Sequence, residues 1–271
     1  MDIYNINKLS IVLVTRNSKS VLFNCLKALD CNDVLTSSMS SQWIIVDNDS
    51  SDGSIEEVLR LYPKTTVIRN KENVGFAKAA NQGFKASQKD FILYINTDTE
   101  IKKDAISKLY KEIASNKDIA VIGPRLLRKN NTIQKSVYPE ATLYTEIFKP
   151  IIKLSVSIKE RFYKIGKCYN VNSLRGACFI INKEYMKQVG CFDERYFFYL
   201  EETDLFRQLK LIGKKICYLP ESEVYHYGGL GSDDKMTFNK KKMYNESMLK
   251  YFEKNRNKFE NFIIRKMIKI K

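Results

Sequence analysis

The sequence predicts an α/β fold: a mostly parallel sheet with flanking helices and a helical extension at the carboxyl end. Three observations predict it. Short β-branched runs alternate with helix-period segments from residue 9 to residue 123, the pattern of buried parallel strands joined by right-handed helical crossovers. Acidic and amide side chains fall at three of the strand ends, where such sheets take their ligands. The 271 residues, 44% apolar with only 11 Gly and 5 Pro, suit a sizeable core and exclude collagen-like, low-complexity and wholly disordered chains.

The first predicted strand is LSIVLV from Leu9, followed by a helix around 21–29. QWIIVD from Gln42 then precedes a helix over 54–61, and TTVIRN from Thr65 a helix over 76–86. FILYIN from Phe91, a helix over 104–114 and IAVIGP from Ile119 complete the alternation. From 130 to 173 the periodicity is lost, and Pro139 and Pro150 flank aromatic and basic residues. This stretch reads as a long excursion over the sheet edge, not a second domain. A strand over 177–181 follows. The next helix starts at Glu202, with Leu205, Leu209 and Ile212 at i, i+4 and i+7 and Gly213 as its stop.

The formal charge of +15 comes from 46 Lys and Arg against 31 Asp and Glu, and its position matters more than its sum. Residues 240–271 carry eleven cations against Glu246, Glu253 and Glu260. They are mixed there with Met248, Leu249, Tyr251, Phe252, Phe259, Phe262 and Ile264. Such a stretch suits a helix packed on the domain and equally a basic amphipathic helix on an anionic membrane. The longest apolar runs, 11–14, 43–46 and 91–95, are far short of the roughly 18 residues of a spanning helix. Residues 1–8 lack a basic-then-apolar leader pattern, so a cytoplasmic protein is expected. The six cysteines form no C-x-x-C pair and read as reduced packing residues.

Neither G-x-G-x-x-G nor the P-loop pattern opens the first turns, so bare backbone is not what meets a phosphate there. Thr15, Arg16 and Asn17 end the first strand, Asp47, Asn48 and Asp49 the second, and Asn96, Thr97 and Asp98 the fourth. An Asp carboxylate accepts the imino N–H of uracil or thymine and discriminates against cytosine. The same run, 47–52, also suits an Asx turn followed by a helix cap at Ser54. Asp98 is a candidate oxygen ligand for a hard cation that bridges phosphates, although N-x-D after a strand is also an ordinary turn. His226 is the only histidine; a lone His packs more often than it ligates.

The segments SIVLVTRN, VDNDSSDGS, NVGFAKAANQG, INTDT and residues 190–229 occur in order. Together they resemble glycosyltransferase family 2, in its bacterial rhamnosyltransferase-like branch, over about residues 9–229. The resemblance implies a GT-A fold, a Rossmann-like nucleotide-diphospho-sugar transferase domain over 1–238. Its nucleotide-binding half would be about 9–125 and its acceptor half about 126–238, with 239–271 as a basic amphipathic extension. It implies a nucleotide-sugar donor, dTDP-rhamnose or a UDP-hexose, a divalent metal (Mn2+ or Mg2+), and transfer with inversion. The acceptor would be a glycan or lipid-linked oligosaccharide of cell-surface polysaccharide synthesis, reached from the inner face of the cytoplasmic membrane.

Position by position, the resemblance puts Asp47 on the base and Thr15 and Asn17 along the nucleoside. Asn73, Gly75 and Asn81 fall beside the nucleotide, and Asp98 and His226 become metal ligands. Asn96 stands where the family's Asp-x-Asp motif has its first acid. The family's Glu-Asp pair is here Glu201-Glu202, which makes Glu202 the catalytic base and Glu201 a neighbour expected to point away. The helix dipole is expected to keep Glu202 ionised. Asp204 and Arg207 take supporting roles, or form a capping and surface ion pair at i, i+3. Two other classes compete: a catalytically silent nucleotide-sugar-binding protein, which Asn96 favours, and a basic nucleic-acid-binding module. A pI near 9.4 favours the second, but acidic strand ends oppose nucleic acid as a partner.

Overall fold

The computed structural model describes residues 9–31, 41–228 and 240–270. The leader reading of residues 1–8 and the first residue of the predicted extension lie outside them. The strands are β1 (Leu9–Thr15), β2 (Gln42–Asp47), β3 (Thr66–Arg69), β4 (Phe91–Ile95), β5 (Thr99–Ile101), β6 (Ile119–Leu127), β7 (Ile133–Gln134), β8 (Val137–Tyr138), β9 (Tyr169–Val171), β10 (Ser173–Leu174), β11 (Cys178–Asn182) and β12 (Lys215–His226). The helices are α1 (Lys19–Cys31), α2 (Ser54–Leu61), α3 (Phe76–Ala86), α4 (Ala105–Ser115), α5 (Leu143–Ile147), α6 (Lys149–Arg161), α7 (Lys183–Gln188), α8 (Glu201–Leu211), α9 (Lys240–Asn255) and α10 (Lys258–Ile270).

Ten strands form one sheet in the order β3-β2-β1-β4-β11-β6-β12-β5, with β7 on β6 and β9 on β12. The first four are parallel, and Thr15 lies opposite Asp47, which lies opposite Arg69, so their carboxyl ends share one edge. The mostly parallel expectation needs one correction. β11 lies antiparallel between β4 and β6, with Ile180 opposite both Leu93 and Ile122, which makes the sheet mixed.

Alternation along each strand divides the interior in two. Ile11 and Leu13 join the core that contains Leu22 and Leu26 of α1 and Leu109 of α4. Val12 joins the core of the other face, with Ala77 and Ala80 of α3 and Leu205 and Phe206 of α8. Helix α3 approaches the sheet so closely that a Cβ at Gly83 would stand 2.4 Å from Val12 Cγ1. Leu205 and Leu209 are buried as predicted, whereas Ile212 is exposed at the helix end, before Gly213 with φ +79°.

One expectation changes, and one of two open readings is met. The stretch read as an aperiodic excursion holds α5 and α6. Thr142 and Thr145 form a reciprocal capping box at α5, and Pro150 occupies the first turn of α6, where a missing N–H costs nothing. The basic carboxyl-terminal stretch is not detached. Met248, Tyr251, Phe252 and Ile264 form a third core with Ala141 and Tyr196, so α9 and α10 are packed parts of the domain.

Candidate active site

The loops after β1, β2 and β4 and the turn before α3 meet at one cavity of about 860 Å³, a volume in the range of small-molecule sites. Thr15 is buried at its wall and shares a hydrogen bond of 2.5 Å with Ser18 Oγ. Asn17, with φ +46°, accepts at Oδ1 from Ser51 N at 2.8 Å and donates its own N–H to Ser50 Oγ at 3.0 Å. It therefore ties the first loop to the second and does not line the cavity. Asp47 accepts at Oδ1 from Ser50 N at 3.0 Å, three residues on, and the Asx turn that the sequence allows in this run is made by Asp52, which accepts from Ser54 N. The predicted cap at Ser54 is replaced: Gly53 caps α2, while Asp52 accepts from Ser54 N and, at 2.9 Å, from Lys19 N at the start of α1.

Asn73 accepts at Oδ1 from Gly75 N at 3.1 Å, and both residues line the cavity. Gly75 is required twice. Its φ is +84°, and a Cβ there would stand 2.6 Å from Phe197 O, the carbonyl that also accepts from Phe76 N at 2.9 Å. Asn81 stands away from the cavity. It donates to Phe192 O and Glu194 Oε1, each at 2.9 Å, and accepts from Phe192 N at 3.1 Å. It clamps α3 to the loop that leads to α8.

Asn96 and Asp98 line the cavity at the end of β4. The antiparallel pairing of β5 with the end of β12 sets His226 opposite Thr99, which brings together residues far apart in sequence. His226 Nε2 lies 3.5 Å from Asp98 Oδ1, both side chains being buried. Gln134 Oε1 meets His226 Nδ1 at 2.7 Å, which holds the imidazole with its Nε2 edge toward Asp98. One carboxylate oxygen and one imidazole nitrogen fit a divalent cation. Among the described residues no cluster of three or more His, Cys, Asp or Glu exists.

Across the cavity, α8 begins after two consecutive left-handed residues, Tyr199 (φ +73°) and Leu200 (φ +67°), a backbone that costs energy in non-glycine residues. This turn aims both Glu201 and Glu202 into the cavity. The expectation that Glu201 points away is thus overturned: the two carboxyls are hydrogen-bonded to each other. Burial, and then the charge of Glu202, push Glu201 well above the usual carboxylate range. Burial also raises Glu202; hydrogen bonds from its own backbone N–H at the helix start, from Glu201 and from Gly176 N–H, with the nearby Arg175 charge, partly offset this. Oε2 of Glu201 and Oε2 of Glu202 are buried and have no hydrogen-bond partner among the described residues.

Asp204 and Arg207 do not pair with each other. Asp204 is buried and accepts from Lys254 Nζ at 2.6 Å and Asn255 Nδ2 at 2.7 Å, which fastens α9 to α8. Arg207 donates to Glu140, which Arg256 also meets at 2.6 Å. The sequence pattern does not show a cationic wall beside Glu202. Lys135, Lys149, Lys153 and Arg175 line it, and burial together with repulsion from Lys153 lowers the pKa of Lys135. Arg175 donates to Lys135 O at 3.0 Å and to Tyr138 Oη. The only signal for these residues is the mixture of basic and aromatic residues around Pro139 and Pro150.

Comparison with known proteins follows this geometry. The family model described as "Glycosyl transferase family 2" matches residues 10–190. The "N-acetylglucosaminyl-diphospho-decaprenol L-rhamnosyltransferase" of Mycobacterium tuberculosis is 26% identical over 206 residues, 68% of this chain and 66% of that protein. The "Low-salt glycan biosynthesis hexosyltransferase Agl10" of Haloferax volcanii is 26% identical over 210 residues, 73% of this chain and 60% of its own length. The match thus spans about two thirds of these relatives. Among solved structures, the mannosyltransferase PcManGT from Pyrobaculum calidifontis in complex with GDP-Man and Mn2+ superposes with a TM-score of 0.64 at 13% identity. That alignment covers 91% of this chain and 63% of the other. At that identity the likeness establishes the fold alone.

Proposed function

The chain belongs to glycosyl transferase family 2, and on that premise we propose that it is an inverting glycosyltransferase. It moves a sugar from a nucleotide-diphosphate donor to a hydroxyl of a glycan or lipid-linked glycan in cell-surface polysaccharide synthesis. One observation carries this reading: the Asp98–His226 pair and the buried Glu201–Glu202 pair open on the same cavity. One end suits a diphosphate and the other suits a hydroxyl that must lose a proton.

Asp98 and His226 hold the divalent cation, Mn2+ or Mg2+, which when bound supplies Lewis-acid neutralisation of the departing diphosphate. Thr15, Asn73, Gly75 and Asn96 line the donor end, while Asp47, buried behind that lining, sets the shape of the base-side turn through its bond from Ser50 N. Glu202 accepts the proton of the attacking hydroxyl. Its raised proton affinity suits that task, because a base works best when its pKa approaches the working pH. Glu201 donates to Glu202 and holds its orientation. A single displacement inverts the anomeric centre, so no enzyme nucleophile is needed, unlike double-displacement hydrolysis.

The donor is dTDP-rhamnose in first place and a UDP-hexose in second; the choice of sugar is supported by the similarity to the mycobacterial L-rhamnosyltransferase. The acceptor is a lipid-linked glycan, supported by the lipid diphosphate in that relative's name and by the cations Lys135, Lys153 and Arg175 beside Glu202. The enzyme works in the cytoplasm at the inner membrane face. A panel of nucleotide sugars, read by mass spectrometry with Mn2+ present, tests the reading. The preferred donor should be consumed, and Glu202→Gln should slow transfer roughly 10²- to 10⁴-fold, the usual size of general-base catalysis, with donor affinity kept. A Glu202→Gln enzyme as fast as the wild type overturns the assignment.

A further inference from the structure

Helix α6 faces two ways. Its inner side presents Lys149, Ile152 and Lys153 to the cavity, while Val156 packs on the core and buried Glu160 accepts from Ser136 N at 2.9 Å. Its outer side is apolar and open to solvent. Phe148, Ile151, Leu154, Ile158 and Phe162 follow one another at helical spacing along α6 and its two caps, and Ile151, Leu154 and Phe162 are 69%, 63% and 77% exposed. A soluble domain rarely leaves so many neighbouring large apolar side chains in water. Phe259 and Phe262 of α10 are likewise exposed, and α10 lies against α5, where Glu260 Oε1 accepts from Leu143 N at 3.4 Å.

Charge identifies the occupant. Residues 147–167 hold Lys149, Lys153, Lys159, Arg161, Lys164 and Lys167, and their sole acid is the buried Glu160. An apolar stripe with cations on both flanks and no exposed acid is the signature of a helix lying in the plane of an anionic membrane surface. We propose that the outer face of α5 and α6, extended by α10, docks the protein on an anionic bilayer and opens the acceptor end of the cavity at the headgroup level. The inference deepens the proposed function and rests on its lipid-linked acceptor for its purpose. It also centres the membrane contact on α6, leaving only the exposed Phe259 and Phe262 of α10 to represent the basic carboxyl-terminal stretch, most of whose apolar residues are packed. Lys153 stands at the mouth of the cavity, placed to meet the phosphate of a lipid as its glycan enters toward Glu202.

Flotation of the full chain with vesicles tests this without donor or acceptor. Binding should be strong to phosphatidylcholine vesicles containing about 30% phosphatidylglycerol, weak to pure phosphatidylcholine, and reduced by salt. The double variant Leu154→Glu/Ile158→Glu, altered only at exposed positions outside the cavity, should lose at least about tenfold in vesicle affinity with unchanged melting temperature and nucleotide affinity. Equal binding by this variant and the wild type overturns the proposal. So does a wild type that ignores vesicles but is a dimer, if the variant is a monomer; the face would then bind a second copy. Vesicle binding without transfer from any donor would sink the proposed function and leave the docking face standing.

Discussion

Oε1 of Glu202 occupies the space that a side chain at residue 176 would need: an ideal Cβ on Gly176 lies 2.8 Å from it. The same Gly176 donates its N–H to the Glu202 carboxylate. A bare backbone thus cradles the proposed base. Gly176→Ala should displace that carboxylate and lower kcat by roughly 10²-fold, within the span of general-base effects, while calorimetric donor affinity is kept. Full activity in this variant would mean that the cradle has no part in positioning Glu202.

Glu201 stands well above the usual carboxylate range because it is buried and lies beside the charge of Glu202. The folded chain therefore keeps a proton that the unfolded chain releases above its ordinary carboxylate pKa of about 4.3. Stability falls as the pH rises from that value toward the raised one. Glu201→Gln removes the titration and retains a donor toward Glu202. It should melt a few degrees above the wild type near about pH 8 and lose that advantage near about pH 4. Identical melting curves across this interval would show that Glu201 is ionised in the folded protein.

Gln134 fixes the ring of His226 at 2.7 Å, which makes it a positioning residue for the metal pair. Gln134→Ala should weaken Mn2+-dependent binding of a nucleoside diphosphate about 10- to 100-fold, the usual effect of losing such a partner. Asp98→Ala should remove most of the metal dependence. Titrations with Mn2+ and with chelator check both, and equal affinity in the two conditions would refute the metal site.

Phe252 is fully buried in the third core. Phe252→Ala should cost about 3–5 kcal/mol, read as a lower denaturation midpoint. Truncation before Lys240 should give an insoluble protein, because it strips the cover from Tyr196 and Ala141 and the partners from Asp204. A soluble, cooperatively melting truncation would show that α9 and α10 are dispensable.

The parallel half of the sheet is legible in the sequence because β1, β2 and β4 are buried on both faces and its helices carry apolar stripes of regular period. Ser54–Leu61 and Phe76–Ala86 fall where the pattern places them. Helix α6 escapes that logic, since its apolar residues point to solvent and its inner side is mixed. The antiparallel insertion of β11 is equally hidden, because local hydrophobicity carries no strand order. For the site, Asp98 and His226 are readable as types, but only the β5–β12 pairing explains why they meet. Asn17 and Asn81 illustrate the opposite failure. Their polar side chains at strand-end and helix positions resemble ligand contacts, yet their hydrogen bonds go to neighbouring loops.

The place of β11 also sets the order in which the chain completes itself. β4 and β6 are neighbours of the same strand, β11, which is synthesised only after the whole of α5, α6 and β9. A nascent chain that has just emitted Leu127 has an unfilled slot in mid-sheet and an open strand edge on β4, a template for wrong pairing. Closing that slot is a long-range event, and long-range pairing is slow. The residues around Cys178–Asn182 thus act as a late keystone: until they leave the ribosome, the two halves cannot lock, and the chain depends on protection from association with its neighbours.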